Sequence, residues 1–116
     1  MSTRLTHSLT IVVPQARIAA RYAGGALSRE LQDAIDACTK AAGGVTLNRN
    51  ASGEWFDNKG NKHAEPVREY TWWYDPAGDF NLASWQVVSI LLRHGEQAVM
   101  TIKTSPEEGS RAHIVY

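Results

Sequence analysis

Alternation between the two sides of an extended strand is the clearest pattern in this chain, and it is longest around Glu69. Every second residue from Val67 to Trp73 falls on one side of such a strand, and every second residue from Arg68 to Tyr74 falls on the other. The stretch contains four of the ten aromatic residues of the chain. A strand that is apolar on both sides is typical of a central position in a sheet. The pattern therefore predicts a long central strand with a carboxylate in its middle.

Shorter segments on both sides of this strand show either the same alternation or a helical spacing of apolar residues. Pro14 closes the first strand, because proline cannot donate to a sheet ladder. Ser28 and Asp79 are the expected N-caps of two helices, and a glycine follows each helix. The predicted strands are residues 8–13, 45–49, 54–56, 65–75, 97–103 and 112–116, and the predicted helices are residues 29–42 and 80–94.

Two connections carry the remaining local signals. Residues 15–25 contain helix formers, but Gly24-Gly25 interrupts any helix that begins there, so the segment is either a short helical turn or an ordered loop. Residues 50–53 have the composition of a turn between two short strands, and residues 57–62 have that of a second, polar turn.

The order of these elements predicts the fold class. It is the α+β, ferredoxin-like βαββαβ plan, an antiparallel sheet with two helices on one face, with an extra C-terminal strand. The other face of the sheet would carry Val12 and one side of the aromatic strand. A face that is so apolar should not remain in water, so we expect it to meet copies of the same chain in a homo-oligomer.

Composition limits the class of protein. We expect the 116 residues to form a single domain, 1–116, that is long enough to bury a core. Lys plus Arg and Asp plus Glu are 12 each, so the chain lacks the charge expected of a protein that binds nucleic acid or an anionic membrane. The single cysteine, Cys38, fits a reducing cytoplasm. The sequence predicts neither a signal peptide nor a membrane span.

Several familiar catalytic signals are missing from the sequence. There is no glycine-rich phosphate fingerprint and no serine nucleophile motif. The four histidines lack metal-ligand spacing, and one cysteine cannot anchor a zinc site. Cys38 falls on the apolar side of the first helix, which is typical of a buried small residue rather than of a nucleophile. We therefore expect neither a metal nor a cofactor.

The remaining candidates each have a structural and a functional interpretation. Glu69 is either solvated or ion-paired, for example with Arg68 or Arg17, or it is half-buried among rings and favours a cationic ligand. The aromatic side chains form either core and interface or a stacking wall for a flat base and a cation. The loop after the first strand is either a connector or a site where backbone N–H groups and Arg17 hold a carboxylate.

Four stretches together give the chain a resemblance to a known family. They are residues 9–17, a hydrophobic strand that leads to an arginine; residues 44–56, a glycine-bounded turn region; residues 69–72, a glutamate followed by Tyr-Thr-Trp; and residues 112–116, the closing strand. In their order and spacing the chain resembles the small phage S-adenosylmethionine hydrolases, some of which are classed as lyases. It departs from them in its tryptophan-rich strand, where others are more basic.

The resemblance implies a trimer of ferredoxin-like subunits with ligand sites between subunits, and cleavage of S-adenosylmethionine to 5′-methylthioadenosine. It implies Glu69 as the essential residue and the loop of Gln15, Ala16, Arg17 and Ile18 as a substrate contact. Rings beside Glu69, of which we select Tyr70 and Trp73, would hold the adenine. It also implies a bacteriophage protein in the host cytoplasm that lowers the methyl donor and blunts restriction.

The chemistry of that reaction suits a sequence without a triad or a metal set. The carboxylate of the substrate can attack its own γ-carbon and yield L-homoserine lactone, provided that the protein holds a bent substrate. A hydrolase would instead need an activated water, with Glu69 as the general base. Two alternatives from other classes remain open: a ferredoxin-like module that binds a host protein or a small ligand without turnover, and a purely structural oligomer.

Overall fold

The computed structural model describes residues 5–18, 26–96 and 98–116. The second part of the 15–25 connection, with Gly24-Gly25, lies outside the described residues, as does Gln97. The elements in chain order are β1 (His7–Pro14), α1 (Gln15–Ile18), α2 (Ala26–Ala42), β2 (Thr46–Phe56), β3 (Lys62–Tyr74), α3 (Phe80–Arg93), β4 (Val99–Ser105) and β5 (Gly109–Val115).

The described strands form one antiparallel sheet in the order β2-β3-β1-β4-β5. The first four strands in chain order have the ferredoxin-like arrangement, and β5 adds a strand beside β4. The predicted fold class is therefore confirmed. The aromatic strand β3 is the longest, with 13 residues, and is paired on both edges, as its pattern predicts.

The core lies between one face of the sheet and the two long helices. Trp72 is fully buried, and its indole N–H donates a hydrogen bond to Thr39 Oγ1 of α2 at 3.1 Å. The ring of Phe80 at the start of α3 stacks on Tyr74, with ring centroids 4.3 Å apart. The largest buried side chains of the described core come from β1 (Ile11, Val13), β3 (Trp72, Tyr74), α2 (Leu31, Ile35, Cys38) and α3 (Phe80, Val87, Leu91).

The turn predicted at residues 50–53 is absent from the structure, because these residues lie within the continuous strand β2. The pairing with β3 shifts between Asn48 and Ala51, so the extra residue forms a β-bulge. Gly53 follows in the strand, where a Cβ would lie 3.3 Å from Val67 Cγ1 on β3. Asn, Ser and Gly, which suggest a turn in the sequence, serve here as bulge and close-contact residues.

Some predicted boundaries also differ from the structure. Helix α2 begins at Ala26, so Ser28 lies inside it and is not the N-cap. Asp79 occupies the N-cap position of α3, but its side chain makes no capping hydrogen bond. Strand β5 begins at Gly109 rather than at residue 112. Within the described ranges, no helix is long and apolar enough to cross a membrane.

Candidate functional site

The face of the sheet opposite the helices, which we call the open face, carries Glu69. Paired residues of an antiparallel sheet share a face, and the register places Glu69 between Val12 of β1 and Asn48 of β2. Trp73 on the same side of β3 is 46% exposed, and Ile114 on β5 is 53% exposed. The open face therefore carries exposed apolar side chains, as the alternation predicts, next to polar ones.

Glu69 is held by the bulge in β2. Asn48 Nδ2 donates a hydrogen bond to Glu69 Oε1 at 3.3 Å, and Asn48 Oδ1 accepts one from the backbone N–H of Asn50 at 3.1 Å. These two contacts set the orientation of the Asn48 amide, with its nitrogen toward the carboxylate. One pair further along the sheet, Thr10 and Thr71 share a hydrogen bond of 2.7 Å between their hydroxyl oxygens. Glu69 thus lies half-buried in a polar row on the open face.

Helix α1 begins directly after the last residue pair of β1 and β3, Pro14 with Val67. The side-chain amide of Gln15 donates a hydrogen bond to the carbonyl oxygen of Arg49 in the bulge, at 2.8 Å. A pocket of about 440 Å³ opens beside this contact, and Gln15 and Glu65 are among its lining residues. The loop of residues 15–18, which is predicted to contact the substrate, therefore adjoins the bulge that orients Glu69.

Arg17 lies on the other side of α1 and contacts the turn that follows α3. Its Nε donates to Glu96 Oε1 at 2.8 Å, and both side chains are about four-fifths buried. Gly95 makes room for this contact, because a Cβ there would lie 3.3 Å from Arg17 Nη2. Gly95 also has a φ of +104°, which favours glycine. The arginine is thus fixed by an ion pair between elements far apart in the chain.

A second pocket, of about 460 Å³, lies next to this ion pair and is lined by Trp55, Glu65, Gly95, Glu96 and Ala98. Burial, and secondarily the negative charge of Glu96, raise the pKa of Glu65, while Arg17 opposes the shift. We call this the carboxylate pocket. Neither Glu65 nor Glu96 is a candidate site residue on the sequence pattern alone. Glu96 is 79 residues from Arg17, so no local pattern could have connected them.

The structure separates the predicted site residues into three groups. Glu69 and Trp73 share the open face, four residues apart on β3. Gln15 and Arg17 lie on α1, directly after the end of the interior strand β1, where Ala16 is exposed. Tyr70 and Ile18 are 3% and 8% exposed and belong to the core, and the ring of Tyr70 stacks on Trp72 toward the helices. Tyr70 thus points away from Glu69, because neighbouring residues of a strand face opposite sides.

The described residues include no group of three or more His, Cys, Asp or Glu side chains placed to hold a metal ion. The chemistry available at the open face and around α1 consists of carboxylates, an arginine, side-chain amides and indole rings. Such groups bind and orient a ligand by charge and stacking.

Comparison with solved structures identifies proteins with the same fold. A phage SAM lyase in complex with S-methyl-5′-thioadenosine aligns with a TM-score of 0.54 and 12% sequence identity, over 99% of this chain and 95% of that one. A phage SAM lyase in its apo state aligns with a TM-score of 0.51 and 12% identity, over 99% and 94% of the two chains. No protein-family model matches the chain, and no curated protein matches it. The chain therefore shares the fold of phage SAM lyase. At the level of the fold, this confirms the resemblance drawn from the sequence.

Proposed function

We propose that this protein degrades S-adenosylmethionine as a lyase, releasing 5′-methylthioadenosine and L-homoserine lactone. The observation that carries the proposal is the alignment of nearly the whole chain with a phage SAM lyase that holds S-methyl-5′-thioadenosine. The half-buried Glu69 on the open face, oriented by Asn48, supports it.

The reaction needs no nucleophile from the protein. The substrate carboxylate forms a C–O bond to its own γ-carbon while the C–S bond breaks, and the electron pair of that bond goes to sulfur. The sulfonium becomes a neutral thioether and the carboxylate becomes a lactone, so no proton has to move. The protein contributes by holding the methionine part bent, with the carboxylate near the γ-carbon and little water between them.

Each group on the open face and on α1 has a part in that task. Glu69 binds the cationic end of the substrate or a substrate hydroxyl and so fixes the reactive rotamer. Trp73 offers an exposed ring for the adenine. We propose Gln15 and Arg17 on α1 as the contacts of the methionine part. Ala16 contributes backbone only, and Tyr70 and Ile18 support the site through the core.

The apolar open face supports a homo-oligomer, and we propose a trimer with its sites between subunits. Exposed side chains such as Trp73, Met100 and Ile114 would be covered at the contact. A neighbouring subunit would also close the substrate away from water at Glu69. In a phage-infected cell this activity would lower the methyl donor in the host cytoplasm and blunt restriction.

The test is to incubate purified protein with S-adenosylmethionine and separate the nucleosides by chromatography. The proposal requires 5′-methylthioadenosine to accumulate, and Glu69→Gln to abolish it. Glu108→Gln, which changes an exposed carboxylate in the turn between β4 and β5, is the matched control and should leave turnover unchanged. Intact S-adenosylmethionine after prolonged incubation with the wild-type protein would refute the proposal.

A further inference from the structure

Among the described residues Glu65 forms no ion pair within 4 Å, although the charge of Arg17 acts on it from nearby. It is half-buried and lines both pockets beside α1, and its side chain makes no hydrogen bond to a described residue. The second carboxylate of the pocket, Glu96, is ion-paired with Arg17 at 2.8 Å. The pocket therefore retains about one uncompensated negative charge.

The rest of the pocket also favours a cation. The indole of Trp55 is 46% exposed and stacks on His63, so part of its ring surface can meet a ligand. A cation over an indole is attracted to the negative face of the ring. The volume of about 460 Å³ is in the range of small-molecule sites. The charge and the ring together select a small organic cation.

S-adenosylmethionine carries two cations, and the proposed reaction distinguishes between them. The positive charge on sulfur decreases in the transition state, so a carboxylate held against sulfur would stabilise the substrate more than the transition state and slow the reaction. The charge of the α-ammonium group stays constant throughout. An anchor on the ammonium also leaves the neighbouring substrate carboxylate free to attack.

We propose that Glu65 binds the α-ammonium group of the substrate, in the pocket that it shares with Glu96 and Trp55, and thereby determines specificity for an amino-acid-bearing nucleoside. This inference rests on the proposed function. If Glu65 binds the ammonium group, Glu69 does not bind the cationic end of the substrate. Glu69 then contacts a substrate hydroxyl. Glu65 and Glu69 are four residues apart on β3, which is about 13 Å along the strand, so they would hold different parts of one ligand.

The test compares two nucleosides by calorimetry. Decarboxylated S-adenosylmethionine keeps the sulfonium and the ammonium but lacks the attacking carboxylate, so it cannot form a lactone. 5′-Dimethylsulfonio-5′-deoxyadenosine keeps only the sulfonium. We expect wild-type protein to bind the first on the order of tenfold more tightly, equivalent to ~1.4 kcal/mol. Glu65→Gln should abolish this tenfold difference in affinity between the two nucleosides.

Glu54→Gln is the matched control. Glu54 lies on β2 next to Trp55, is exposed, and pairs with Lys62 at 3.2 Å outside the pocket, so its variant should keep the difference in affinity. Circular dichroism verifies that both variants fold. A Glu65→Gln protein that retains the tenfold difference overturns the role of Glu65 while the activity stands. Wild-type protein that binds neither nucleoside and leaves S-adenosylmethionine intact overturns the proposed function and this inference together.

Discussion

The side-chain amide of Asn48 bridges the β2 bulge and Glu69, since it accepts a hydrogen bond from the Asn50 backbone N–H at 3.1 Å and donates one to Glu69 Oε1 at 3.3 Å. The bulge thereby determines where the candidate catalytic carboxylate points. A regular β2 would present a different side chain to Glu69.

Replacing Asn48 should therefore impair turnover through Glu69. Asn48→Ala removes the donor, leaves the carboxylate free to rotate, and is expected to lower kcat by roughly tenfold to a hundredfold with a smaller change in KM. Steady-state kinetics with S-adenosylmethionine measures both. Asn50→Ala is the control, because its backbone N–H contact with Asn48 persists. Equal kcat values for wild-type and Asn48→Ala would show that the bulge does not orient a catalytic group.

Glu65 should cost the protein stability at neutral pH. Burial and Glu96 raise the pKa of Glu65 in the folded state, so the fold favours the protonated form. The stability from this group is present below its unfolded pKa and is lost as the pH rises through the folded pKa. We expect Glu65→Gln to be more stable than wild-type at pH 7.

Urea unfolding of wild-type and Glu65→Gln, at pH 7 and again at pH 4, measures this difference. The gain should shrink at the lower pH, where the wild-type carboxyl is largely protonated. Glu54→Gln, at an exposed position on the same hairpin, should show little gain at either pH. A Glu65→Gln protein that is less stable than wild-type at pH 7 would mean that Arg17 outweighs burial and Glu96.

The hydrogen bond from Trp72 to Thr39 should contribute to stability more than its exposed counterparts. Thr39→Val keeps the shape but leaves the buried indole N–H without an acceptor, at a cost of ~1–3 kcal/mol in the free energy of unfolding. Thr104→Val removes a hydroxyl that contacts Ser110 at an exposed site, where water replaces it. Urea unfolding that gives equal losses for the two variants would contradict this account.

Cys38 should be inert in the folded protein. Its side chain is fully buried on α2, and burial raises the pKa of its thiol to about 11, so almost no thiolate exists at neutral pH. Ellman's reagent should leave Cys38 unmodified in native protein and modify one thiol per chain in urea. Rapid modification of native protein would place this thiol at the surface.

The sequence predicts the fold well, because strand alternation and helical spacing report directly on burial. The long strand β3 and the fully buried Ile11 and Val13 on β1 follow from such patterns. The bulge does not, because Asn50, Ser52 and Gly53 have the composition of a turn, and only pairing with β3 makes them a strand.

The candidate site is only partly visible in the sequence. Glu69 and Tyr70 are neighbours in a strand that is aromatic on both sides, and only the position of the helices decides that Tyr70 is core. The pairing of Arg17 with Glu96, and the proximity of Glu65 to both, depend on tertiary packing between α1, β3 and the turn that follows α3. Contacts between charged residues that are far apart in the chain produce no periodic pattern in the sequence.

In the proposed reaction the substrate carboxylate, and not water, attacks the γ-carbon. The most direct measurement is to run the reaction in ¹⁸O-labelled water and locate the label by mass spectrometry. The lyase predicts that homoserine lactone appears before homoserine, and that homoserine formed from it carries solvent oxygen only in its carboxyl group. Homoserine alone, with solvent oxygen on the γ-carbon, would contradict the lyase and establish a hydrolase.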